Sequence, residues 1–212
     1  MDLDPALGLL VDRVRAIRPP SVERVLIGVV GAPGAGKSTV AAGLVAGLLA
    51  AGARAAQVPM DGFHLADVQL DRLGLREVKG APETFDGIGY AELLRRVRTD
   101  RAHPAYAPDF ERTLEQPIAG AIAVEPDVDI VVTEGNYLLL GEEPWPRVRA
   151  ECTEVWYVAV DDAVRLERLV ARHVRFGKSP EEARAWVERS DEANARRVVP
   201  SAARADLVVT LG

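Results

Sequence analysis

The sequence is poor in several residues that would assign a protein to a class at once. It has one cysteine, Cys152, in 212 residues, which excludes an internal disulfide, and its cysteine, three histidines and carboxylates show no zinc spacing. Lys and Arg, 26 together, are outnumbered by 32 Asp and Glu, for a net charge of −6. Nucleic acids and anionic membranes are held mainly by an excess of such cations, so neither is expected as a partner, and any bound anion must be gripped locally. Long apolar runs are also missing. The longest such run, 40–53, falls short of the roughly 20 residues of a membrane span and contains Gly43, Gly47 and Gly52; a buried helix is expected there. Asp2 and Asp4 stand where a secretory leader would carry basic residues, so a cytoplasmic location is expected. Length and 48% hydrophobic content fit one domain over 1–212.

Short β-branched runs at 24–30, 54–58, 129–133, 154–160 and 206–210 alternate with helical stretches. That pattern predicts an α/β fold: a parallel five-stranded sheet with helices on both faces. Asp4-Pro5 marks the start of an opening helix, and Pro19-Pro20 its end. Two further helices are predicted over 162–176 and 180–194, the second opened by Ser179-Pro180-Glu181-Glu182. Between Leu65 and Val128 the pattern is irregular and rich in Gly, Pro and polar residues, a length that points to function.

Lysine is scarce too, with only Lys37, Lys79 and Lys178, and the first sits in a dense group of glycines. Gly31-Ala32-Pro33-Gly34-Ala35-Gly36-Lys37-Ser38 fits G-x-x-x-x-G-K-[ST], between a predicted strand and a predicted helix. The glycines let successive N–H groups curl around a phosphate at a helix N-terminus, in backbone regions that side chains would block. Gly31, Ala32, Pro33, Gly34, Ala35, Gly36, Lys37, Ser38 and Thr39 are therefore the candidate ATP-binding residues. Lys37 is suited to the β- and γ-phosphates and Ser38 to Mg²⁺.

Ligands collect at the carboxyl ends of parallel strands, and this sorts the acidic residues. Asp129 opens its strand and Glu134 follows it, roughly 16 Å further on at about 3.3 Å per residue. Glu134 is thus the candidate Mg²⁺ residue, directly or through water, and Asp129 is strand punctuation. Asp61 leaves the second strand in "PMDGFH". There it suits proton abstraction from an attacking hydroxyl, although Asp-Gly by itself reads equally as a turn. His64, three residues on, is placed to position substrate.

Together, "MDGFH", "KGAPETFD" at 79–86, "PAYAPDFER" at 104–112, "TEGNYLL" at 133–139 and "NARRVVPSAARADLVV" at 194–209 resemble the P-loop kinases of the pantothenate kinase and uridine kinase group. The likeness is to their short nucleoside-kinase-like or fructose-kinase-like members and runs from Val25 onward. It implies Asp61 as base, Glu134 as the metal residue, and Tyr106 and Asn194 as substrate contacts. Pro108 stands where pantothenate kinases carry a histidine, and Asp-Gly-Phe where uridine kinases carry Asp-Ser-Phe, so a sugar or polyol is expected ahead of a pantothenate-like acid or a nucleoside.

Arg165, Arg168, Arg172 and Arg175 recur at intervals of three, four and three, one face of a helix. A helical lid over about 162–180 is expected, with Arg168 and Arg172 the catalytic candidates ahead of Arg165 and Arg175. Phe63, Phe85, Tyr106 and Phe110, with His64, Lys79, Glu83, Asp86 and Arg112, populate the irregular region and suit a hydroxyl-rich or charged small molecule. Arg112 joins His64, Tyr106 and Asn194 as a substrate candidate. The expected activity is transfer of the γ-phosphoryl group of ATP to a hydroxyl, with a homodimer left open. The rival is a nucleotide switch or chaperone-type NTPase, although the N-K-x-D element of guanine-specific switches is absent.

Overall fold

The computed structural model describes residues 3–17 and 23–211, with side chains in the first helix from Ala6 onward. Helix α1 (Leu3–Ala16) leads to strand β1 (Val25–Val30), helix α2 (Lys37–Ala50) and strand β2 (Ala55–Pro59). Short helices follow, α3 (Asp67–Leu73) and then α4 (Gly87–Thr99), before strands β3 (Ala105–Glu111) and β4 (Gln116–Val124). The rest is β5 (Ile130–Gly135), α5 (Trp145–Glu151), β6 (Glu154–Ala159), α6 (Asp162–Arg175), α7 (Pro180–Trp186), α8 (Glu192–Val198) and β7 (Leu207–Thr210). Pro19-Pro20 lies outside the described residues.

Five strands form a parallel sheet in the order β2-β5-β1-β6-β7. The two central strands, VLIGVV and IVVTEG, are buried along their whole length, as continuous apolar runs between two helical layers require. One face packs Leu26, Val131 and Val155 against Tyr90, Leu94, Trp145 and Val148 of α4 and α5. The other packs Ile27, Val132 and Trp156 against Val11, Val14, Leu44 and Leu48 of α1 and α2. The uncharged run 40–53 is thus mostly α2 and its exit turn, with Val40, Ala41, Leu44 and Leu48 buried. Among the described residues no helix is long and apolar enough to cross a membrane.

Two features depart from the sequence reading. The irregular region contains an antiparallel hairpin, β3 with β4, whose ladder shifts between Ala107 and Asp109 and which shares no ladder with the main sheet. The helix predicted over 180–194 is instead α7, a π turn over Val187–Asp191 and then α8. Its start is as expected, a capping box in which Ser179 and Glu182 each accept the other's backbone N–H. A π turn rotates the residues that follow it relative to an unbroken α-helix; here Asp191 and Asn194 come to face the same cavity as the nucleotide loop.

Candidate active site

The loop from Gly31 to Gly36 joins β1 to α2. Gly34 and Gly36 have φ of 80° and 89°, the left-handed region that glycine tolerates. At Gly34 a Cβ would also meet the Arg165 carbonyl at 2.8 Å and Leu169 Cγ at 2.7 Å, so α6 lies directly on the loop. Helix α2 starts at Lys37, with Gly36 before it offering no side-chain cap and with no acidic residue in its first turn. Its first N–H groups and the positive end of its dipole are left for an anion, and the bare cradle fits phosphate.

Beside this loop the sheet delivers two carboxylates. Glu134 pairs in register with Val29 and Pro59 at the carboxyl edge, and Asp61 lies two residues beyond Pro59. Glu134 is 4% exposed. Burial pushes its carboxyl up to about 7; Lys37 opposes the rise, Asp61 adds to it, and the Ser38 hydroxyl hydrogen-bonds the group. Burial likewise lowers the pKa of Lys37, against the pull of Glu134 and Asp61. A carboxyl so poorly compensated, next to a hydroxyl, suits a divalent cation. Among the described residues no cluster of three or more His, Cys, Asp or Glu could hold a metal unaided. Ser38 and Glu134 fit a Mg²⁺ that takes its remaining ligands from phosphate and water.

Asp61 is positioned from the hairpin side. Gly62 shows no positive φ, so its role is not the conformational freedom of a turn; a Cβ there would lie 2.2 Å from the Pro108 carbonyl oxygen. Only glycine lets β3 press against the Asp61 turn. Arg112, just past β3, donates from Nη2 to Asp61 Oδ2 at 3.2 Å. His64 Nδ1 lies 2.8 Å from the Asp61 carbonyl oxygen and therefore carries the proton, leaving Nε2 as an acceptor. Burial lowers the pKa of this imidazole, and its ring packs on Phe85 and Phe110 at 3.9 and 4.8 Å. A cavity of about 420 Å³ brings together Lys37, Asp61, His64, Arg112, Arg172 and Asn194. Buried Asn194 donates to the Gly80 carbonyl at 3.4 Å, and so does the Tyr137 hydroxyl.

The profile of the phosphoribulokinase / uridine kinase family matches residues 26–212. The chain belongs to that family. Family and fold make it a small-molecule phosphotransferase with an ATP-binding loop. The kinase is 35% identical over 195 residues to a provisionally named uridine kinase of Schizosaccharomyces pombe, covering 88% of this chain and 83% of that one. It is similar in structure to a provisionally named fructose transport system kinase from Silicibacter sp. TM1040, with a TM-score of 0.89, 36% identity, and 96% and 98% of the two chains covered. The YFH7 protein of Saccharomyces cerevisiae, at 19% identity and a TM-score of 0.75 over 99% and 97% of the chains, shares the fold.

In this kinase not every expected residue reaches the cavity. Tyr106 is 60% exposed, on the face of β3 opposite buried Ala105 and Ala107, and is absent from the cavity wall. The arginine stripe of α6 divides. Arg165 is buried; it donates to the Pro33 carbonyl at 3.3 Å and pairs with Asp162 and Glu192, so it braces the loop and is not free for phosphate. Arg168 Nη1 lies 3.6 Å from where a Gly36 Cβ would be, and Arg172 lines the cavity, 4.0 Å from Asp191. Arg175 stacks over Phe176 at 6.0 Å, off the cavity wall. Glu83 pairs with Arg197 and Asp86 caps α4, so neither serves the cavity. Sequence reasoning missed Asn136, Arg76 and the His173–Asp191 pair at 2.8 Å, all on the cavity wall. Only Asn136 carried a signal, its place in TEGNYLL two residues after the metal candidate.

Proposed function

We propose that this kinase transfers the γ-phosphoryl group of ATP to a hydroxyl of a small polyhydroxylated acceptor, a sugar or polyol derivative. The observation that carries the reading is the single cavity that joins Lys37 of the nucleotide loop to Asp61, His64, Asn136 and Asn194. A nucleotide switch or chaperone has no use for a polar acceptor chamber continuous with its phosphate loop, so this argues for the kinase over that rival. In this reading residues 1–212 work as one domain, with α6 and the start of α7 as the lid.

Backbone N–H groups of the 31–39 loop, Pro33 having none and Ala35 donating to the Ala32 carbonyl, and the ammonium of Lys37 hold the triphosphate and orient its terminal group. Ser38 and Glu134 would hold Mg²⁺, which when bound would supply neutralisation of charge on the phosphate oxygens. Asp61 accepts the proton of the attacking hydroxyl, once that hydroxyl takes the place of Arg112 at its carboxylate. Arg168 and Arg172 stabilise charge on the transferring group from the lid side, and lid packing excludes water. His64 Nε2 and Asn194 orient the acceptor, and Arg112, released from Asp61, contacts it. Tyr106, facing solvent in this state, has no assigned part.

ADP release from ATP and Mg²⁺, measured across sugars, polyols, their acids and phosphate esters, nucleosides and pantothenate, tests the reading. Lys37→Ala is expected to lower acceptor-dependent turnover by at least about 10²-fold, the scale of losing one preorganised charge at the reacting group. Unchanged turnover in a folded Lys37→Ala protein refutes the assignment.

A further inference from the structure

We infer that the acceptor carries an anionic group, carboxylate or phosphate, besides the hydroxyl that reacts; the inference rests on the kinase reading above. The chain as a whole is acidic, at −6, yet the cavity wall reverses the balance. Lys37, Arg76, Lys79, Arg112, Arg172 and Lys178 line it against only Asp61, Glu115 and Asp191. With Lys37 and Arg172 assigned to the triphosphate, four cations remain, Arg76, Lys79 and Arg112 away from the lid and Lys178 at the lid's exit from α6.

Arg112 is matched by Asp61. The other three are under-compensated from within the cavity. Arg76 and Lys79 share one carboxylate, Asp67, at 2.8 and 2.9 Å; Asp67 is not part of the cavity wall, and Asp71 reaches Arg76 only at 3.6 Å. Lys178 forms no ion pair among the described residues, and its ammonium lies 4.7 Å from the centre of the Trp186 ring. Lys79 is the most defined of them. Its side chain is 16% exposed, and two of its three N–H groups are used, on Asp67 and on the Glu115 carbonyl at 2.6 Å. The third is left for a ligand. A cation braced by acceptors at its back and open on one side is how a site for a carboxylate or phosphate oxygen is built.

The partners of Arg76 and Lys79 lie on α3, on the β3–β4 turn and on Phe110, none on the nucleotide loop. These charges therefore serve the acceptor and not ATP. Lys79 Nζ sits 5.5 Å from the Phe110 ring centre, and Phe110 packs on His64, which is bonded to the Asp61 turn. The anionic end and the reacting hydroxyl are thus held on opposite sides of one aromatic contact. Asn136 Oδ1, buried without a partner and on the cavity wall, offers an acceptor for a further hydroxyl. The structure assigns a short polyhydroxy acid or polyol phosphate.

Matched trios, each a neutral polyol with its carboxylate and its phosphate ester, are to be compared by ADP release. Turnover is expected on one charged series, which identifies the anion, with kcat/KM at least about 10-fold above the neutral parent. Lys79→Gln should raise KM for that acceptor by about 10- to 100-fold with kcat nearly unchanged, and Lys178→Gln, which disturbs no ion pair, should raise it less. A second arm requires no acceptor: with a non-hydrolysable ATP analogue and Mg²⁺ saturating the loop, millimolar inorganic phosphate should raise Tm in the wild type and not in Lys79→Gln. Equal turnover of neutral and charged members, or a phosphate effect unchanged by Lys79→Gln, overturns the inference and leaves the kinase reading standing. Nucleotide hydrolysis that no acceptor of any charge accelerates overturns the kinase reading itself.

Discussion

Replacing Glu134 by glutamine should make the ligand-free protein more stable at alkaline pH while impairing it as a kinase. The buried carboxyl titrates at about 7 instead of 4.5, chiefly because burial disfavours its charge. Between those values the folded chain holds a proton that the unfolded chain has released. The stability associated with Glu134 is thus fully present below about pH 4.5 and is lost as pH rises through 7. At about 1.36 kcal/mol per unit, a shift of roughly 2.5 units corresponds to about 3 kcal/mol, an upper figure given the coupling to Lys37. Urea unfolding of wild type and Glu134→Gln from pH 5 to pH 8 isolates this group together with the part of the Lys37 titration coupled to it, because the titrations of groups remote from the pair cancel in the difference. The glutamine variant should gain on the wild type steadily between pH 5 and 7, by an amount on the order of 2 kcal/mol. With Mg²⁺ and ATP present the gain should shrink, since a bound cation favours the ionised carboxylate. Parallel stability curves for the two proteins across this range would refute the assignment of Glu134 as a buried, uncompensated carboxyl.

Three further outcomes are expected. Asp61→Asn should lower turnover by about 10² to 10⁴ with no rescue by Mg²⁺, whereas raised Mg²⁺ should partly restore Glu134→Gln; Mg²⁺ titrations of initial rate with the opposite pattern reverse the two roles. Gly62→Ala should force the Pro108 carbonyl away from the catalytic turn, costing about 1–3 kcal/mol in thermal stability and disproportionately more in kcat/KM; an unaffected rate shows that the contact does not position Asp61. Arg24→Met should cost about 3–5 kcal/mol in urea unfolding, because the buried guanidinium donates to the carbonyls of Val97, Asp100, Glu125, Pro126 and Val128, yet leave ATP affinity unchanged.

The parts of the fold legible in the sequence are those where local pattern and tertiary role coincide. Buried parallel strands must be uninterrupted apolar runs, so β1 and β5 announced themselves, and a phosphate loop must be glycine with a lysine. The hairpin did not, because Pro117 and Gly120 interrupt β4 and five of its nine residues are exposed, leaving no alternation to read. The π turn was hidden for a different reason: helix periodicity does not register one widened turn. Gly62 looked like a turn glycine, and Arg165 like one more member of a cationic face. Their partners, the Pro108 carbonyl and the Pro33 carbonyl, are backbone atoms far off in the chain, and backbone atoms leave no mark in a residue pattern. Asp61, His64, Arg112 and Asn194, named from motifs, lie on one cavity wall, whereas Tyr106 lies off it because strand parity, set by buried Ala105 and Ala107, turns it outward.

The hairpin's separate sheet has an evolutionary consequence. Its base is anchored in the core by Ala105, Ala107 and Val124, but no ladder hydrogen bond ties it to the five-stranded sheet. Its tip can therefore exchange residues, lengthen or change register without disturbing the loop and helix that present Lys37 or the strand that holds Glu134. One phosphoryl-donating platform can in this way be fitted with successive acceptor-reading inserts, each keeping only the glycine contact that places the base. Grafting a relative's hairpin onto this chain is then a direct route to altered acceptor preference with the donor half intact.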